Sequence, residues 1–410
     1  MQWEKTSSWN VGFDFNILED LIQMNFNVYD KRTSDLLQQY VKIPSSTGYS
    51  TLDWANVGTL KNKGWELSIN TKPIFKIGKF SMKAKFNASQ NQNRVTSMDA
   101  SVLSSINKDF DYKNATDKTY ISENPYLSRV QIGNALYSIY GFRYLGVYRY
   151  DYEHSGYFAD PAKNEVYGDN TAAAAKARGD KNFTCPIAHD ANGNIIFDAS
   201  GNPLRMYYNY GGTNYQFSGG DAIYEDINHD GQINELDIVY LGNSNPTFTG
   251  GFGFDFTYGR WTLKTSFNMR LGAKIINLAR MRAEDMRNNK NQSRAVNWRW
   301  RKNGDDTEIP RAMNKNAGDS YNALPSSRFV ESGDFLRLQY VQLSYSFDAK
   351  NLRRYGIKGL NFYVSGNNLF FLTKYKGVDP EHSASGYAPA YDDSQTPRSR
   401  SVTFSLNVQF

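Results

Sequence analysis

Strict alternation of apolar and polar residues recurs along the chain, and it limits the fold more than any other feature. A period of two puts the apolar side chains on one face of a strand and the polar ones on the other. Trp9, Val11, Phe13, Phe15 and Ile17 share one face, with Asn10, Gly12, Asp14 and Asn16 opposite. After Glu19-Asp20, Ile22, Met24, Phe26 and Val28 alternate with Gln23, Asn25, Asn27 and Tyr29. The same pattern predicts strands over 65–71, 80–89, 248–258, 261–271, 341–347, 360–366 and 402–410.

None of the apolar-face positions in these nine segments is charged, in a chain that is 21% charged. The opposite face is Asn, Ser, Thr, Lys, Gln and Gly. A soluble sandwich alternates too, but its strands are shorter and its loops lie at both ends. A soluble ligand barrel has an apolar interior. A charge facing lipid costs about 2–4 kcal/mol at mid-bilayer, which explains an uncharged outer face. Connections also alternate. Short ones follow the first, third, fifth and seventh strands, and long ones span 30–64, 90–247, 272–340 and 367–401. Short turns at one end and long loops at the other are the asymmetry of outer-membrane barrels. Residues 138–150 read as extended but cannot span alone, so they belong to one large outer loop, about 97–246. The last strand ends on Phe410, an aromatic on its apolar face.

Composition removes other classes. With 61 aromatic rings among 410 residues (29 Tyr, 25 Phe, 7 Trp) the chain is too aromatic to be disordered. No apolar run is long enough for a transmembrane helix, which leaves a barrel open. The net charge of +6 is interspersed, without the Lys/Arg block of a nucleic-acid binder. Cys185 is the only cysteine, so there is neither a disulfide framework nor a Cys-based metal site. His154, His189, His229 and His382 are scattered.

One local motif carries chemistry. Asp226, Asn228, Asp230, Gln232, Asn234 and Asp237 fit the calcium-loop pattern D-x-[DN]-x-[DN]-G-x5-[DE], with Gly231 at the sharp turn. Gln232 would offer its backbone carbonyl, Asn234 a side chain or bridging water, and the others side-chain oxygens. Asp at the twelfth position resembles dockerin loops. No clear helix precedes the loop, so a full EF-hand is not expected. The expected cofactor is a structural Ca2+ that pins the large loop; the alternative is an Asp/Asn/Gly turn that binds nothing.

Other motifs read as structural. Trp298-Arg299-Trp300-Arg301-Lys302 could stack on sugars, but loop packing explains it as well. Residues 276–302 have helical composition, with arginines expected on a solvated face. Asp305-Asp306 and Asp392-Asp393 read as turns rather than glycosidase pairs. Gly251-Phe252-Gly253 lacks the third glycine of a dinucleotide site, and no nucleophile elbow is present. No enzyme is expected.

Several blocks together resemble a known family. "EKTSSWNVGFDF", "NVGTLKNKGWELSIN", "YGFRYLGVYR", "EDINHDGQINELDIVYLGNSNPTFTGGFGFDFTY", "NWRWRKNGDDTEIPRAM", "SSRFVESGDFLRLQYVQLSYSF" and "GLNFYVSGNNLFFLTKYKGVDPE" are similar to SusC/RagA-type TonB-linked outer-membrane transporters. The resemblance runs end to end and matches the C-terminal part of their barrel. It implies an all-β antiparallel barrel of about 22 strands, of which nine are here. It also implies uptake of oligosaccharides or peptides, a SusD-like surface lipoprotein as lid, and energy from the TonB complex through an N-terminal part. The signal peptide, TonB box, plug and early strands of that family have no counterpart in 1–410. The expectation is a fragment, inactive alone, in the outer membrane of a Gram-negative cell. The rival expectations are a passive pore or adhesin barrel and a secreted calcium-dependent glycan-binding β protein.

Overall fold

The computed structural model describes residues 2–42, 51–99, 130–154, 159–160, 165–166, 184–210, 213–287, 291–313, 321–384 and 388–410. One antiparallel sheet organises it. Nine long strands follow one another in chain order: β1 (Lys5–Ile17), β2 (Ile22–Ser34), β3 (Gly58–Thr71), β4 (Phe80–Met98), β5 (Phe248–Tyr258), β6 (Trp261–Leu271), β7 (Phe335–Ser346), β8 (Gly359–Thr373) and β9 (Ser401–Gln409). Each pairs with its neighbours in sequence, so the sheet is a meander, as the alternation predicted. β1 and β9 do not pair, and the barrel is not closed by these strands.

Register keeps the apolar face continuous. Phe13, Phe26, Leu67 and Ala88 stand in one row across β1 to β4. Leu263, Leu343, Val364 and Phe404 stand in another across β6 to β9. Phe252 and Phe267 stack with centroids 4.7 Å apart. Near the short turns lies an aromatic cluster in which Trp261 meets Tyr345 at 4.7 Å, and Tyr345 meets Phe347 at 4.8 Å. Rings of this kind belong at a bilayer edge.

The strands outrun the alternating segments at their loop ends. β4 continues to Met98, where Asn91, Gln92, Asn93 and Arg94 replace the apolar row. A strand needs about 9–11 residues to span a bilayer, so the 19 residues of β4 rise beyond it. β7 begins at Phe335 rather than Val341 because a bulge hides its first part. Phe267 faces Leu338 and Ser266 faces Tyr340, leaving Gln339 unopposed. The extra residue shifts the phase. Leu336 and Leu338 keep to the row of Met269 and Phe267, while Arg337 is buried on the other side.

Short connections lie at one end. Leu18, Glu19 and Asp20 turn with positive φ, Gly259 with φ +58, and Ala349–Leu352 forms one helical turn. At the other end the long connections build a folded outer body. Its main core holds Phe142, Tyr208, Phe217, Tyr224, Ile233 and Tyr321. A second core holds Ile139, Ile276, Leu278, Met281 and Phe329. Residues 138–150 lie within this body, with Ser138–Gly141 and Tyr144–Val147 as short strands.

The helical composition of 276–302 yields less than predicted. Leu278–Ala283 is α-helical and Arg294–Trp298 is a 3-10 turn. The solvated arginine face holds for Arg294 and Arg301, which are exposed, and is corrected for Arg280, Arg282 and Arg287. Arg280 bonds Glu284 and Glu331, each at 2.8 Å; Arg282 pairs with Asp393 and Arg287 with Asp285. Glu331 and Asp393 arrive from distant segments and Glu284 and Asp285 from the same one, and together they make these arginines internal ties.

Candidate functional site

Two surfaces are candidates: the polar face of the sheet and the outer body above it. The polar face carries Ser68, Asn70, Lys85, Asn87, Lys264, Ser266 and Asn268 around a hollow floored by Gly251 and Gly253. Both glycines press against the neighbouring strand; a Cβ on Gly253 would stand 2.5 Å from the Thr265 carbonyl oxygen. A wall of amides, hydroxyls and ammonium groups suits a water-filled passage.

The outer body is held by buried charge. Asp221, fully buried, accepts from Arg311 Nε at 2.7 Å, Tyr215 Oη at 2.7 Å and the Ser218 amide at 2.9 Å. Arg328 bonds Glu284 at 2.7 Å, and Arg337 bonds Asp379 at 2.6 Å. Each pair joins residues far apart in sequence.

The six expected metal-loop residues lie on one turn of this body. The chain reverses at His229 (φ +58) and Gly231 (φ +82). A Cβ on Gly231 would stand 2.7 Å from Leu204 Cδ2 and 3.0 Å from Ala188 Cβ, so the position needs glycine twice over. Asp226 accepts from the Gly231 amide at 2.8 Å and the Asp230 amide at 3.3 Å. Asp230 accepts from Gln232 N at 2.8 Å, and Asn234 from Leu236 N at 2.8 Å. Asn228 accepts from Asp230 N at 3.3 Å. Asp237, fully buried, accepts from Ile227 N and Asn234 N, each at 2.8 Å. Burial pushes the Asp237 carboxyl up to about 6; the amides of Asn234 and Ile227 oppose this, and Asp226 and Asp230 add to it. Burial raises Asp226 as well, with Asp230 contributing.

Asp226 and Asp230 thus act on Asp237, and Asp230 on Asp226, as like charges held close together do. Among the described residues, however, no three His, Cys, Asp or Glu side chains are grouped closely enough to hold an ion. The oxygens are turned onto the loop's own amides.

The loop rests on an element that sequence reading missed. Asp190-Ala191-Asn192-Gly193-Asn194 and Asp198-Ala199-Ser200-Gly201-Asn202 are two copies of one turn, eight residues apart. In each, the Asp side chain accepts two backbone amides and the Gly sits at positive φ. Ala188, Ile196 and Leu204, also eight apart, close a ring: Ala188 N to Leu204 O at 2.9 Å, Leu204 N to Ile196 O at 2.7 Å, Ile196 N to Ala188 O at 3.0 Å. The D-x-x-G-N repeat was the available signal.

The remaining motifs are structural contacts. Trp300 packs on Gly220 and donates Nε1–H to the Arg149 carbonyl at 3.0 Å, whereas Trp298 is exposed. Asp305 caps the Arg301 and Lys302 amides. Asp392 accepts from Tyr375 at 2.7 Å. Cys185 is pushed up to about 12 by burial, so its thiol stays protonated.

Comparison with known proteins finds relatives of one kind. No family model matches the chain. A TonB-dependent receptor of Formosa agariphila is 29% identical over 420 residues, covering 100% of this chain and 36% of the receptor. TonB-dependent receptor SusC of Bacteroides thetaiotaomicron is 26% identical over 413 residues, covering 100% of the chain and 32% of SusC. The chain thus spans about a third of the length of these relatives. A solved structure of the RagAB peptide transporter superposes with TM-score 0.66 at 18% identity, over 100% of this chain and 36% of that one. Along its whole length, then, the chain is similar to TonB-dependent outer-membrane receptors of the SusC type, and it has the fold of the matching β-barrel portion of the RagAB transporter.

Proposed function

We propose that the chain forms part of the wall and outer body of an importer that takes oligosaccharides or peptides across the outer membrane with TonB-supplied energy. The observation that carries this reading is the polar sheet face, with Lys85, Asn87, Lys264 and Asn268 around a glycine floor, beneath a folded outer body. Transport then needs further strands, because open edges are not tolerated in lipid and β1 and β9 leave two. The reading includes a SusD-like lipoprotein over the outer body and no enzymatic activity. It also includes a divalent cation held by Asp226, Asn228, Asp230, Gln232, Asn234 and Asp237, which would neutralise the three carboxylates and fix the body onto β5. Burial raises both Asp226 and Asp237, and the nearby carboxylates add to it, Asp230 at Asp226 and both Asp226 and Asp230 at Asp237; that crowding of like charge supports this part.

The test is growth of the native host on single oligosaccharides and on a peptide digest, with the gene present or deleted, and with tonB present or deleted. The expected result is loss of growth on one nutrient class, reproduced by removing tonB. Unchanged growth on every nutrient refutes the import reading. A loss that removing tonB does not reproduce identifies a passive pore instead.

A further inference from the structure

A cavity of about 600 Å³ opens in the outer body, away from the polar sheet face. Its size falls within the range of about 300–1,000 Å³ usual for small-molecule sites. Leu145, Ile187, Met206 and Ile223 make its walls apolar, and Tyr224 adds a ring. Tyr148 also lines it and is only 5% exposed. No hydrogen bond to its hydroxyl is present among the described residues, and burial raises it well above the ordinary tyrosine value. A buried tyrosine hydroxyl normally has a partner. Here the hydroxyl opens onto the cavity instead of being sealed in the protein, and among the described residues nothing accepts from it. At the rim, the carboxylates are engaged already: Glu225 with Arg143, and Asp226 with the Gly231 amide. Thr184, His189 and His229 complete the polar part of the lining.

We propose that this cavity binds a small, mostly apolar molecule whose leading end carries a hydrogen-bond acceptor for Tyr148, the chemistry of a phenol. The ligand's body lies against Leu145, Ile187, Met206 and Ile223, and its acceptor reaches the hydroxyl. The site lies in the outer body and does not depend on the import reading.

Cys185 lines the same cavity and supplies a reporter. Outer membranes containing the chain are treated with N-ethylmaleimide, and alkylation of the Cys185 peptide is followed by mass spectrometry. The probe is p-cresol, with maltose as the control. The expected result is saturable slowing by p-cresol and none by maltose. Tyr148→Phe, which removes one neutral hydrogen bond, weakens protection by about three- to tenfold. Leu145→Arg, at a position 57% exposed, blocks the mouth and removes protection. If Tyr148→Phe alone raises alkylation without probe, that variant has loosened the fold, and Leu145→Arg decides. Where alkylation is too slow to follow, saturation-transfer NMR of p-cresol reads the same proteins. The proposal is overturned if p-cresol gives no protection, if maltose protects equally, or if Leu145→Arg leaves protection intact.

Discussion

Asp221 shows how single residues hold the outer body. It is fully buried, and its charge is matched by Arg311, Tyr215 and the Ser218 amide. Removing one partner of a buried pair costs about 3–5 kcal/mol, because the other charge remains in the interior. Arg311→Met is thus expected to make the outer body protease-sensitive, while heat-modifiable migration of the membrane strands is unchanged. Asp237 gives a pH signature. Its folded value, about 6, lies above its ordinary 3.8, so the folded body holds the proton more tightly than the unfolded chain. Without a cation, this contribution is full below pH 3.8 and is lost as pH rises through about 6. A divalent cation needs the deprotonated loop, so stabilisation by added calcium should grow across the same window. The check is the thermal shift on adding calcium chloride at about pH 5 and about pH 7.5, with Asp237→Asn abolishing the difference. No shift at the higher pH would leave the loop as a turn.

At the scale of elements, the strands were legible where lipid imposed the pattern. Phe252, Phe254 and Phe256 alternate with Gly253 and Asp255 because one face meets hydrocarbon, and there the boundaries of β5 and β6 were read correctly. Beyond the bilayer that constraint ends, so Asn91 to Met98 of β4 and Phe335 to Tyr340 of β7 were not read as strand. The metal-loop residues were found by spacing, but their oxygens' turn onto local amides depends on the Ala188–Ile196–Leu204 ring beneath them. Tyr148 and its cavity lay in aperiodic loop, where long-range packing decides position. Phe267→Lys, on the apolar face, should cost about 2–4 kcal/mol and lower assembly, whereas Ser266→Lys should be tolerated. Deletion of Gln339 removes the bulge and turns Arg337 toward lipid; the amount of assembled protein in outer membranes should fall below that for Phe267→Lys.

For the whole molecule, the outer body is not the product of one loop. Tyr208 meets Tyr321 with ring centroids 5.1 Å apart, the Ala222 amide donates to Asn322 at 2.8 Å, and the Phe142 amide donates to the Pro325 carbonyl at 2.9 Å. The β5–β6 hairpin separates these partners in sequence. The body cannot finish until that hairpin has delivered residues 321–329 to it. Its completion is therefore a clock for membrane assembly: a stalled intermediate, with β6 not yet placed beside β5, would show an unfinished surface to the extracellular side. Quality control at the cell surface could read that state by proteolysis alone, without inspecting a single strand inside the bilayer.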